Sequence, residues 1–80
     1  MDSDITIEDA RHVLWYFADR TNGWEYGTFT GKLISAIAHA DQGNQERLRL
    51  GFPGLVAAAR MCMYDQGGTH MLGQFVRGEL

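Results

Sequence analysis

Cysteine is all but missing from this chain of 80 residues, which has Cys62 alone. An intramolecular disulfide is thereby excluded, and a cysteine-rich zinc site lacks its ligands. The same usage fits a reducing compartment. Long apolar runs are missing as well. The longest strongly apolar stretch, Leu55 to Ala59, falls far short of the roughly 20 residues that span a bilayer. The opening Met1-Asp2-Ser3-Asp4 is acidic where a signal peptide is basic, so a cytoplasmic protein without export is expected. Cationic surplus is the third absence: the formal net charge is −3, with a single lysine, Lys32, beside six arginines. Nucleic acid is therefore a disfavoured partner, since phosphate binding wants positive charge in excess on one face.

A hydrophobic share of 45% against 21% charged residues is that of an ordinary globular protein, and residues 1–80 make one domain. A chain this short buries a modest fraction of its surface and has no staple. Self-association into a homo-oligomer, a dimer in the simplest case, is the expected supplement.

Periodicity predicts an all-α fold, a bundle of four short helices with room for a fifth near the C-terminus. The first runs from about Ile7 to Arg20, with Thr6 as N-cap and Glu8 and Asp9 in its first turn, where the helix dipole favours acids. Ala10, Val13, Leu14 and Phe17 share its inward face, and Trp15 lies nearly opposite. Thr21-Asn22-Gly23 is a turn signal, and Trp24-Glu25-Tyr26-Gly27 follows as an aromatic loop. The second helix starts at Thr28 or Thr30, with Phe29, Leu33, Ile37 and Ala40 as its inward stripe, widened by Ile34 and Ala36. Gly31 in its first turn is tolerable if a neighbour packs closely there. A short third helix, capped by Asp41 or Asn44, points Leu48 inward, and Gly51 breaks it. Pro53, well placed at a first helical position, opens a fourth helix to about Tyr64, with Phe52, Leu55, Val56, Ala59, Cys62 and Met63 at repeating three and four spacing. After the stop at Asp65-Gln66-Gly67-Gly68, a further turn or two returns Met71, Leu72 and Phe75 to the body.

No residue pattern carries catalysis. His12, His39 and His70 sit in separate segments without a metal-ligand spacing, so no metal and no cofactor are expected. Cys62 falls on an inward stripe, where a thiol is inert. Neither glycine-rich stretch has a phosphate-loop lysine, and the adjacent Glu8 and Asp9 diverge on a helix. A helix-turn-helix DNA reader is the best competing class. Gln42, Asn44, Gln45, Arg47 and Arg49 are residue types that read bases, although only two are cations and Gly51 cuts the helix short.

The block Phe29-Thr30-Gly31-Lys32-Leu33-Ile34-Ser35-Ala36-Ile37 is followed by Ala40-Asp41, Asn44, Arg47-Leu48, Gly51-Phe52-Pro53 and Leu55-Val56-Ala57-Ala58. This pattern resembles small uncharacterised helical proteins encoded by bacteriophages and prophages, especially of actinobacteria. It covers about the middle half of the chain. The resemblance implies a setting in a bacterial host cytoplasm and no mechanism. Small phage proteins commonly bind and block or redirect a host protein, defence systems included.

Trp24 and Tyr26 either fold back as a lid on the small core or form a contact site. The expected contact surface is Trp15, Trp24 and Tyr26 with Arg20 as a polar neighbour, because large exposed apolar groups at this density rarely lack a cover. The expected function is non-catalytic binding of a host bacterial protein. The alternatives are the DNA regulator and a minor virion structural or assembly component.

Overall fold

Each periodic segment becomes a helix once its ends are satisfied, and five stand among the described residues. The computed structural model describes residues 4–80, so Asp2 and Ser3 of the acidic start lie outside the described residues. Helix α1 spans Ile7–Tyr16, α2 Thr28–His39, α3 Gln42–Gly51, α4 Pro53–Tyr64 and α5 Gly68–Val76. The fold is an all-α bundle. No helix among the described residues is long and apolar enough to cross a membrane.

Three starts are chemically distinct. At α1 a capping box closes, the Asp9 N–H donating to Thr6 Oγ1 at 3.0 Å and the Thr6 N–H to Asp9 Oδ2 at 3.4 Å. At α3 the Asp41 carboxylate accepts the Asn44 N–H at 2.7 Å. Helix α4 has Pro53 at its first position, where a missing N–H costs nothing.

Helix α4 is the centre, packing against all four others. It therefore buries a wide arc, Leu55, Val56, Ala58 and Ala59, instead of a single stripe. Ala10, Val13 and Leu14 of α1, Ile34 and Ile37 of α2, and Leu72 and Val76 of α5 close on it, with Ile5 at the edge.

Four expectations need correction. Helix α1 stops at Tyr16, not Arg20, because Phe17 and Ala18 leave helical geometry, Ala18 at φ +71°. The Ala18 N–H donates to the Trp15 carbonyl at 3.1 Å and the Asp19 N–H to the Leu14 carbonyl at 2.9 Å. That is a Schellman stop with alanine where glycine is usual.

Phe29, expected inside, is 69% exposed. It lies eight positions before Ile37, which is about 80° round the helix from it, and its ring instead meets Phe52 with centroids 6.2 Å apart.

In α3 the buried residue is Gln45, at 1% exposure, while Leu48 is only half-buried. The end of α2 leaves carbonyls without helical partners. Gln45 Nε2 donates towards those of Ile37 and Ala40, at 3.2 and 3.4 Å, and to Tyr64 Oη at 3.1 Å, while its Oε1 accepts from Arg60 at 3.3 Å.

Met71, expected to return to the body with Leu72 and Phe75, stays exposed, while Leu72 is buried and Phe75 half-buried. Met71 is the neighbour of Leu72 on α5, and adjacent positions point about 100° apart round a helix.

Candidate functional site

The residues between α1 and α2, 17–27, form a strap whose backbone is held at most steps as far as Trp24. Asp19 is its anchor. Its Oδ1 accepts the N–H groups of Thr21 and Asn22 at 3.1 and 2.9 Å, and its Oδ2 accepts from the Asn22 side-chain amide at 3.0 Å. The bond from the Asn22 N–H, the largest influence, holds the Asp19 carboxyl below the usual carboxylate range against the opposing pull of partial burial. Next, the Gly23 N–H donates to the Asp19 carbonyl at 2.9 Å and the Trp24 N–H to the Arg11 carbonyl at 2.9 Å. Gly23 lies so close to α1 that a Cβ there would run into the Trp15 and Asp19 backbone.

Arg11, on α1, ties the strap to the opposite end of the chain. Its Nη1 donates to the Asn22 carbonyl at 2.9 Å and its Nη2 to the Val76 carbonyl, at the end of α5, at 3.2 Å. Arg11 Nε is buried without a partner. The guanidinium carries Trp24 on its face, 4.5 Å from the ring centroid, a distance at which the cation is attracted to the π-face. Trp24 is thus fixed by its backbone and one ring face, yet 50% exposed.

Trp15 makes the second such pair. Arg20 Nη1 donates to the Trp15 carbonyl at 2.9 Å, and its guanidinium lies 4.0 Å from the indole centroid. Trp15 is half-buried and Arg20 exposed. Tyr26 turns the other way. It packs half-buried against the core, edge-on to His12 at 6.1 Å, and its ring fills the space above Gly31, where a Cβ would meet it at 2.7 Å.

The four expected contact residues therefore divide. Trp24 and Arg20 face outward, Trp15 sits beneath Arg20, and Tyr26 is a lid over the small residue that admits it. Sequence reasoning missed Arg11, which stands thirteen positions before Trp24 with no local signal of the pairing. Sequence reasoning placed the turn at Thr21-Asn22-Gly23 and kept Asp19 in the first helix; the signal it passed over is Asp19-Arg20-Thr21-Asn22, a short acceptor ahead of two residues whose N–H groups it can reach.

Elsewhere the chemistry is sparse. Among the described residues no three His, Cys, Asp or Glu side chains gather as a metal group. Burial pushes the half-buried Cys62 thiol up, away from the reactive thiolate. Of the residues suited to reading bases, Gln45 is buried and Arg49 is bonded to Glu46 at 3.0 Å, which leaves Gln42, Asn44 and Arg47 exposed. Compared with protein-family models, curated proteins and solved structures, the chain matches none.

Proposed function

We propose that this chain is a protein-binding module that works by occupancy, with the strap as its contact surface and no chemical step of its own. The supporting observation is the pair of arginine-backed indoles, above all Trp24, held rigidly and half exposed. Tryptophan and arginine dominate binding hot spots because they cover large areas at low entropy cost. A surface already ordered before contact loses less freedom on association. The phage resemblance supplies the setting: the partner is a bacterial host protein whose functional patch is covered or redirected.

The test is capture from an actinobacterial lysate on the immobilised chain, with the captured protein identified and then titrated as a pure component. Trp24→Ala is expected to weaken that complex by about tenfold or more, the effect of a hot-spot ring. Far-UV circular dichroism should stay unchanged, because Arg11 keeps its bonds to Asn22 and Val76. Undiminished affinity in both Trp24→Ala and Arg20→Ala would overturn the reading. So would a dimer of this chain that buries Trp24 and captures nothing.

A further inference from the structure

On the side of α2 away from the core lies a second surface that the strap does not use. Helices α2 and α3 form a hairpin, with a tight connection at Ala40 and Asp41 and with Phe29 meeting Phe52 across the open end at 6.2 Å. Between them runs an open cleft of about 420 Å³ lined by Ala36, His39, Ala40, Asn44, Arg47 and Leu48. Phe29 and Ala36 are seven residues apart and so share one face of α2. The seam thus continues from the cleft to the exposed ring. Lys32 stands between them on the same helix and is exposed.

Two cations, Lys32 and Arg47, stand exposed along the seam, and no carboxylate lines the cleft, while Asp4 and Asp9 line a separate pocket with Phe52 at the aromatic end. Asp41, next to it, is turned onto Asn44, accepting from its N–H at 2.7 Å and its Nδ2 at 3.4 Å. The acid of α3, Glu46, faces Arg49 and Arg60 instead, at 3.0 and 3.8 Å. Neither Lys32 nor Arg47 has an ion-pair partner among the described residues. In a chain of net charge −3, an apolar floor with an aromatic end and two cations without an ion-pair partner along it is a local inversion.

We propose that the α2–α3 seam docks an amphipathic, acid-flanked α-helix of a partner protein. A groove between two helices takes a third helix, whose apolar side chains enter at three- and four-residue spacing. The twelve residues of α2 give a length of about 18 Å, enough for three turns. One apolar anchor meets the Phe29 and Phe52 rings and another the Ala36 and Leu48 floor, while Glu or Asp on the helix flanks meets Lys32 and Arg47. The chain then holds two partners on separate surfaces, which is the architecture that redirecting a protein requires.

The probe is a synthetic helical peptide of about fourteen residues, long enough for the seam, with Leu on one stripe and Glu on both flanks. Its twin carries Lys in place of Glu. Added to the full-length ¹⁵N-labelled protein, the Glu peptide should shift the amide signals of Ala36, His39, Arg47 and Leu48 and bind about tenfold more tightly than its twin. In the double variant Lys32→Glu/Arg47→Glu the preference should reverse with circular dichroism unchanged, and in Trp24→Ala it should persist, which separates this surface from the strap. Equal affinity for the two peptides, no shifts at about 1 mM peptide, where weak specific contacts are populated, or shifts centred on Trp24 would overturn the proposal. Seam signals that move with protein concentration alone would assign the face to a second copy and overturn it as well.

Discussion

Ala18 adopts a backbone that costs an L-residue about 1–2 kcal/mol, at φ +71°, and it does so on the surface, where its methyl group packs little. The stop it makes is needed to turn the chain into the strap, so the strain is retained for geometry. Ala18→Gly should raise the unfolding free energy by about 0.5–1 kcal/mol, the relief of strain less the added freedom of the unfolded chain. The midpoint of urea denaturation measures it. A lower midpoint would mean that Ala18 is not confined to this conformation. Arg11 is the other residue whose position decides more than its type: an arginine on α1 becomes the bed for Trp24 only because Asn22 and Val76 offer carbonyls on either side of it.

At the level of elements, the strap is ordered by hydrogen bonds more than by burial, and one carboxylate gathers three of them. Because the Asp19 pKa is lowered in the folded state, its stabilising contribution is complete above the ordinary aspartate value of about 3.9 and is lost as pH falls through the lower folded value. The amide signal of Asn22 should therefore titrate with a midpoint below that ordinary value, and Asp19→Asn should abolish the step. A midpoint at or above it would show that the turn does not hold the carboxylate. Helix α2 illustrates a different element-scale effect. Its apolar residues, from Ala36 and Phe29 round to Ile34 and Ala38, cover about half the circumference, so an inward stripe centred near Phe29 and one centred near Ile37 both fit the spacing. Contact with α4 settles the rotation by burying Ile34 and Ile37 and leaving Phe29 outside.

The whole molecule measures 32 × 25 × 19 Å, and its short axis is about two helix diameters. Every bulky ring is therefore close to the surface, and several cannot be enclosed. Among the described residues the one buried polar residue is Gln45, which joins α2, α3 and α4 through its contacts with Ile37, Ala40, Arg60 and Tyr64. Gln45→Leu removes the side-chain donor from the Ala40 carbonyl and from the Ile37 carbonyl, which keeps the Ala40 N–H at 3.3 Å, and should cost about 1–3 kcal/mol of global stability, read as a lower thermal midpoint with a single cooperative transition. Unchanged stability would show that water replaces the amide at no loss.

The all-α class, the Thr6 cap, the Pro53 start and the strong periodicity of the fourth helix were decided by the sequence alone, because caps, breakers and periodicity act over a few neighbouring residues. The fifth helix, the choice of Asp41 over Asn44 as cap and the central place of α4 came with the structure. The stop at Ala18 left no such mark, since alanine carries no signal for left-handed geometry. The burial of Gln45, the exposure of Phe29 and the seating of Trp24 on Arg11 came only with the tertiary structure. Each depends on which carbonyls, rings and guanidinium groups meet across separate helices, and spacing along a chain holds no record of those meetings.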